Sequence, residues 1–210
     1  MPVHRLVSGD RPEENVLRDA AAVLARGGLV LFPTDTFYGL AVDPWRPAAV
    51  ARLFAVKGRD ARVAVPLIAA DAAQVGAWIG PLGQTGARLA AAFWPGPLTL
   101  VIDARSGLDP ALLGGGSSVA VRVPAHPVAA GLARALGRPV TSTSANRSGE
   151  PPGACLAEVP ASLTAEVDLV LDAGSCPGGA PSTIVDVRSG DAVLVRTGAV
   201  PWERVVESLR

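Results

Sequence analysis

The chain has 210 residues, 49% hydrophobic and 18% charged, with 19 basic and 19 acidic side chains and a formal net charge of zero. A chain this apolar buries enough surface to offset its ordering entropy, which excludes intrinsic disorder. The balance of charge argues against a broad nucleic-acid-binding face but leaves room for a local basic pocket. Cys155 and Cys176 show neither CxxC nor Cys/His spacing, so they suggest no zinc site and no redox pair and fit a reducing compartment. No signal-like or membrane-spanning run is read, and a single domain over 1–210 is expected.

Val16, Leu17, Ala20, Val23 and Leu24 recur at helical spacing and predict a helix from about Pro12 to Arg26, with Asp10 and Glu13 as a capping box and Gly27 and Gly28 as its stop. Leu29 to Phe32 is a continuous apolar run, the pattern of a strand covered on both faces. A loop from Pro33 to Pro47 precedes a helix over Ala48 to Val56, which the basic turn Lys57-Gly58-Arg59 ends. Beyond it, Val65 to Ala69 reads as a strand, Ala72 to Trp78 and Gln84 to Trp94 as helices, and Leu98 to Ile102 as a strand. Ser117 to Val123 alternates as a strand, Pro127 to Leu136 is a helix, and Val140 to Thr143 is a strand. Further strands are expected at Leu169 to Asp172, Thr183 to Val187 and Val193 to Arg196, with a closing helix from Trp202 to Leu209. Strands and helices alternate early and strands crowd late, so an α/β fold on a mixed sheet is predicted rather than a purely parallel one.

The familiar nucleotide and hydrolase signatures are missing: no Walker A loop, no GxGxxG after a strand, no HExxH and no GxSxG. What stands in their place is a set of small polar and basic clusters at strand ends, where ligands of α/β sheets bind. Pro33-Thr34-Asp35-Thr36-Phe37-Tyr38 puts two hydroxyls, a carboxylate and the single tyrosine after a buried strand, and reads either as a ligand loop or as an Asp/Thr turn. Lys57 is the one lysine beside 18 arginines, either a survivor of an arginine bias or a position that needs an ammonium rather than a planar fork. Arg122 shares the parity of Ser118 and Ala120, opposite Val119, Val121 and Val123, which by itself reads equally as the solvated face of a half-buried strand. Thr141 to Ser144 and Asn146 form a dense hydrogen-bonding array, suited to phosphate oxygens or an amino acid, though a Ser/Thr turn would look the same. Ser182 and Arg196 add a hydroxyl and a cation at two more strand margins.

Taken in order, FPTDTFYGLAVDP, VKGR, PLI, FWPGPLTLV, VAVRVPAHP, TSTSANRSGEPP, PSTIVD and VRTGAV resemble the single-domain YrdC/Sua5 family of threonylcarbamoyl-AMP synthases, over nearly the whole chain from about Asp10 to Arg204. The resemblance implies a twisted, open, mixed α/β sheet with flanking helices and a concave basic cavity. It implies ATP, L-threonine and bicarbonate as substrates, threonylcarbamoyl-adenylate and pyrophosphate as products, and a nucleotidyltransferase-type reaction opening the synthesis of N6-threonylcarbamoyladenosine in tRNA. By matching position, Thr34, Arg122, Ser142 and Ser182 would hold threonine. Lys57, Arg59, Ser118, Ser144, Asn146 and Arg196 would hold the nucleotide and its phosphates, with Lys57 and Arg59 as the catalytic cations. Mg2+ is expected with the phosphates, and no protein ligand for it can be singled out. The setting implied is cytoplasmic, with a tRNA threonylcarbamoyl-transferase complex downstream and weak RNA contact as a secondary property.

The carboxylate, bicarbonate, carbamate and phosphate groups in that chemistry are all anionic, so positioning and charge neutralisation carry the catalytic burden. Arg122 suits a bidentate fork on the threonine carboxylate, and Lys57 a point charge on phosphate, so Lys57→Ala is expected to abolish or severely reduce synthesis with little loss of stability. The sequence departs from the family's compact KGRPxxxPL pattern: Asp60 to Val65 is longer and lacks a polar residue before Pro66-Leu67, leaving Arg62 as the nearest candidate to supplement Arg59. The chain ends soon after VRTGAV, so the extra C-terminal domain of the longer Sua5 type is not expected. Two rival readings are carbamoyl-adenylate chemistry and an RNA-binding module using the basic concavity. Few aromatic stacking platforms speak against the latter.

Overall fold

A computed structural model describes residues 2–7, 12–58, 60, 62–147 and 149–210, with the backbone alone at residues 5 and 6. In chain order the elements are β1 (Val3–Leu6), α1 (Glu14–Ala25), β2 (Val30–Phe32), β3 (Gly39–Ala41), α2 (Pro47–Lys57), β4 (Leu67–Ile68), α3 (Ala72–Trp78), α4 (Gly83–Phe93), β5 (Leu98–Asp103), β6 (Ser118–Arg122), α5 (Pro127–Leu136), β7 (Val140–Thr141), β8 (Thr143–Ser144), α6 (Ala161–Thr164), β9 (Leu169–Asp172), β10 (Thr183–Asp186), β11 (Val193–Arg196) and α7 (Trp202–Glu207).

Hydrogen bonding divides the expected mixed sheet into two. The first has the order β1-β9-β2-β3-β8, and the second β11-β10-β5-β6-β4-β7. Both are mixed: β9 runs parallel to β1 and β2, whereas β3 is antiparallel to its neighbours. Likewise β10 is parallel to β5, and β5 is antiparallel to β6. Residues 140–143, expected as one strand, are instead two short strands in different sheets. Thr141 pairs with Leu67 in the second, Ser144 pairs with Gly39 in the first, and Ser142 between them donates its N–H to Pro66 O at 2.8 Å. A side-chain bond ties the same joint, since Thr141 Oγ1 accepts from Val42 N at 2.8 Å.

Three local expectations change. The stretch from Pro33 to Pro47 contains β3, and β1 adds an edge strand at the N-terminus that its mixed polar and apolar residues did not announce. Helix α1 is capped at Glu13 without a side-chain hydrogen bond. Glu13 therefore sits at the cap position and not three residues inside a box, while Asp10 lies outside the described residues.

The larger core cluster runs from Leu29, Leu31 and Tyr38 through Leu53, Leu67 and Leu100 to Val185 and Val205. A second cluster lies between α1 and α5, where Gly131 is required by space: a Cβ there would come within 2.6 Å of Leu17 Cδ1. Helix α2 ends on Gly58 in the left-handed conformation (φ 57°), a position that suits glycine and makes Lys57 the last helical residue. Burial of the apolar face around Leu53 and Phe54 turns Lys57 inward with it.

Candidate functional site

The turn after β2 is closed by Thr34. Its hydroxyl accepts from Thr36 N (3.1 Å) and Phe37 N (3.3 Å) and donates to Phe37 O (2.8 Å), with Thr36 Oγ1 at 3.2 Å. The loop is a hydroxyl-closed turn, as the Asp/Thr-turn reading has it, and the turn aims Asp35 across the gap between the sheets. There the Asp35 carboxylate pairs with Arg122 Nη1, through Oδ1.

Arg122 does not lie on a solvated face. Strand β6 is interior, flanked by β5 and β4, and the loop of the other sheet covers its second face, leaving Arg122 6% exposed. Ser118 shares this face at the start of the same strand, where it registers with Asp103. Nearby, Arg196 at the end of β11 donates from Nη2 to Ser182 O (2.7 Å) and lies 3.2 Å from Ser182 Oγ. That hydroxyl in turn receives Thr99 Oγ1 at 2.8 Å. Lost hydration, and then the like charge of Arg122, hold the Arg196 guanidinium below its ordinary range.

Two motifs are locked together to bring Arg196 there. Thr183 Oγ1 donates to Val200 O (2.7 Å) and accepts from Val200 N (3.0 Å), and Ala199 N donates to Pro181 O (2.8 Å). Gly198 is needed because a Cβ at that position would collide with Pro181 O.

Lys57 is 2% exposed and reaches across to the loop after β8. Its ammonium donates to Ser144 O and to Asn146 O (2.8 Å), with Asn146 Oδ1 at 3.4 Å. Ser144 Oγ donates to Asn146 Oδ1, and Asn146 Nδ2 to Glu150 O. Lys57, Ser144 and Asn146 are thus one assembly, Thr34 joins Arg122 through the neighbouring Asp35, and Ser182 joins Arg196. Ser142 sits at the joint of the two sheets. Arg59 lies outside the described residues. Arg62 is not aimed at this cluster: its side chain is 88% exposed and pairs with Asp60 at 2.6 Å.

Sequence reasoning passed over several neighbours. Asp35 was counted only as the carboxylate of a candidate ligand loop and given no role of its own. Thr99 is another, betrayed only by being polar within an apolar strand. Cys176 packs its thiol against the Thr34 backbone. Burial pushes that thiol up, the Thr34 contact opposes it, and the charge of Asp35 adds to the rise. His126 feels Asp35 too, but burial dominates and lowers its pKa. Its Nδ1 accepts from Val128 N at 3.3 Å and caps α5. Tyr38 is wholly buried, with its hydroxyl 2.8 Å from Gly174 O and 3.1 Å from Asp172 Oδ1. Burial raises its pKa, so it pins β9 rather than serving the site. A hollow of about 420 Å³ beside α5, lined by Pro95, Pro124, Ala130 and Arg134 among others, contains none of the hydroxyl and cationic residues above.

The Sua5/YciO/YrdC family, described as "Telomere recombination", matches residues 22–198. The chain is 41% identical over 175 residues to the threonylcarbamoyl-AMP synthase of Nitrosococcus oceani, covering 83% of this chain and 94% of that protein. To the threonylcarbamoyl-AMP synthase of Pyrococcus abyssi it is 35% identical over 196 residues, covering 93% of this chain and 58% of the relative. Among solved structures, P. abyssi Sua5 complexed with L-threonine superposes with a TM-score of 0.93 at 34% identity, over 99% of this chain and 61% of that one. E. coli YciO superposes with a TM-score of 0.86 at 25% identity, over 96% of this chain and 98% of its own. HypF, at 18% identity and a TM-score of 0.72, shares the fold alone. With most of its length matched by the family and its two mixed sheets superposing on Sua5 and YciO, the chain belongs to the Sua5/YciO/YrdC family.

Proposed function

We propose that the protein condenses L-threonine, bicarbonate and ATP into threonylcarbamoyl-AMP with release of pyrophosphate, the first step of N6-threonylcarbamoyladenosine formation in tRNA. The observation that carries this reading is the placement of Arg122 and Arg196, from different motifs, in one mixed sheet, the first paired with the Asp35 turn and the second with Ser182. Such an arrangement suits a small zwitterion beside a polyphosphate. The names of the relatives, and the complex of one of them with L-threonine, agree with it.

The amine of threonine, once its ammonium has lost a proton, attacks carbon dioxide with release of a second proton, or bicarbonate with loss of water, to give a carbamate, and the carbamate oxygen then attacks the α-phosphorus as pyrophosphate leaves. No covalent intermediate with the protein is required, so its residues act by holding charge. In this reading Arg122 forks onto the α-carboxylate, and Thr34, Ser142 and Ser182 surround the rest of the amino acid. Arg196, Ser118, Ser144 and Asn146 border the nucleotide, with Arg59 completing the phosphate side. Lys57 supplies its charge from behind Ser144 and Asn146, setting the loop on which the nucleotide would rest. Among the described residues no group of three or more His, Cys, Asp or Glu could hold a metal ion. Mg2+ entering with ATP would take its ligands from phosphate oxygens and water.

No helix of the described residues is long and apolar enough to cross a membrane. We place the enzyme in the cytoplasm, handing its labile product to a transferase that acts on tRNA. The test is pyrophosphate release by the purified protein with ATP and magnesium, comparing L-threonine plus bicarbonate, L-serine plus bicarbonate, and buffer. Release that requires threonine and bicarbonate together is the expected result. Release that ignores them, or none from folded protein, overturns the reading.

A further inference from the structure

The Asp35 and Arg122 side chains are 12% and 7% exposed, yet they meet through single atoms. Nη1 binds Oδ1, while the buried Oδ2 has no hydrogen-bond partner among the described residues. A pair whose work is purely structural would be expected to use both carboxylate oxygens in a fork, because a buried ionised oxygen without a donor is costly. Arg122 is likewise incompletely used, with Nε and Nη2 making no hydrogen bond to the described residues. The unspent atoms form an acceptor beside donors, at the carboxyl end of a buried strand. A zwitterionic α-amino acid presents the opposite order, an ammonium beside a carboxylate.

We propose that Asp35 binds the α-ammonium of the amino-acid substrate through Oδ2 while its Oδ1 fixes Arg122 against the α-carboxylate. The inference rests on the reading of this region as the threonine site and adds the group that selects an amine. Its neighbours agree in charge: with Arg122 already paired to Asp35, an incoming ammonium satisfies the second oxygen, and the carboxylate that accompanies it restores the balance at the guanidinium. Thr34, whose hydroxyl is spent in closing the turn, then acts chiefly by holding the Asp35 backbone in place.

The test is calorimetric titration with L-threonine and with the 2,3-dihydroxybutanoate of matching stereochemistry, which keeps carboxylate and side chain and replaces the amine by a hydroxyl. Wild-type protein is expected to prefer threonine by about tenfold or more, the usual worth of a buried charged hydrogen bond. In Asp35→Asn the preference should shrink to within about twofold, and Asp35→Glu should recover part of it. A folded Asp35→Asn that keeps the wild-type preference overturns the proposal. So does a wild type that binds the two acids equally, a result that needs no variant to fold. A wild type that binds neither acid overturns instead the assignment of the region to threonine.

Discussion

Lys57 Nζ lies 2.8 Å from the carbonyl oxygen of Asn146, 89 residues further along the chain, and also donates to Ser144 O. The single lysine of the sequence is thus a buried strut between α2 and the loop after β8. An ammonium can turn its three protons toward acceptors clustered in this way, whereas a planar guanidinium cannot.

Burial alters the expectation for Lys57→Ala. Truncation removes the donor of two backbone carbonyls as well as a cation, so we expect a loss of about 1–3 kcal/mol of stability together with loss of pyrophosphate release. Lys57→Arg should also lose activity, with the 144–146 loop displaced. Urea denaturation beside the pyrophosphate assay checks both, and normal turnover by Lys57→Arg would mean that any cation serves.

Removing one partner of the Asp35 and Arg122 pair strands the other charge in the interior. Arg122→Ala should therefore lose about 3 kcal/mol and raise the KM for threonine far more than that for ATP. The double variant Arg122→Met/Asp35→Leu should regain most of that stability and remain unable to bind threonine, which separates the structural from the ligand-binding work of the pair. Equal effects on both substrates would reassign Arg122 to phosphate.

Gly198→Ala forces a Cβ against Pro181 O and so displaces the segment that carries Ser182 and Arg196. The expected outcome is weakened ATP and threonine binding together, with a lowered melting temperature. Ala199→Gly next to it should be close to neutral, since Ala199 is exposed and joins the clamp through its backbone.

The two cysteines should alkylate at different rates. Cys155 is half-buried, whereas Cys176 is buried and its thiol is pushed up, so little thiolate forms there near neutral pH. Peptide mass spectrometry after limited iodoacetamide treatment should find Cys155 modified first, and the Cys176 share should grow as the pH is raised.

Acidification should weaken the fold in two stages. The folded His126 pKa lies below its ordinary 6.5, so its contribution is complete above that value and is lost as pH falls through the folded one, when protonation removes the acceptor for Val128 N. At Asp168 burial alone would raise the pKa, but Arg52 and the Leu29 N–H outweigh it and lower the carboxyl below 3.8. That contribution is present above 3.8 and lost on further acidification. His126→Asn, which keeps a capping side chain without titrating, should remove the first stage and leave the second in the melting profile.

Most helices and buried strands were legible because they depend on local rules. The α1 face, the apolar run of β2 and the Gly58 stop each follow from a few adjacent residues. The elements that escaped depend on partners far away. Strand β3 is three residues long and exists because β2 and β8 flank it, and the break at Ser142 is decided by Pro66 and Gly39. Arg122 shows the same limit at the site, since its parity alone fitted a solvated face and the loop from the other sheet gave it a buried role. Order and spacing of motifs pointed to the family, but the Asp35 oxygen that has no partner among the described residues is a fact of three-dimensional packing.

The position of β9 between β1 and β2 has a consequence for biosynthesis. While the ribosome is still short of residue 169, the N-terminal strand has no neighbour in its sheet and β2 keeps one edge unpaired. The nascent chain must hold these two strands in waiting until residues 169–172 have been made. Release of a product truncated near residue 150 would leave an open edge at β2, prone to pairing with other chains.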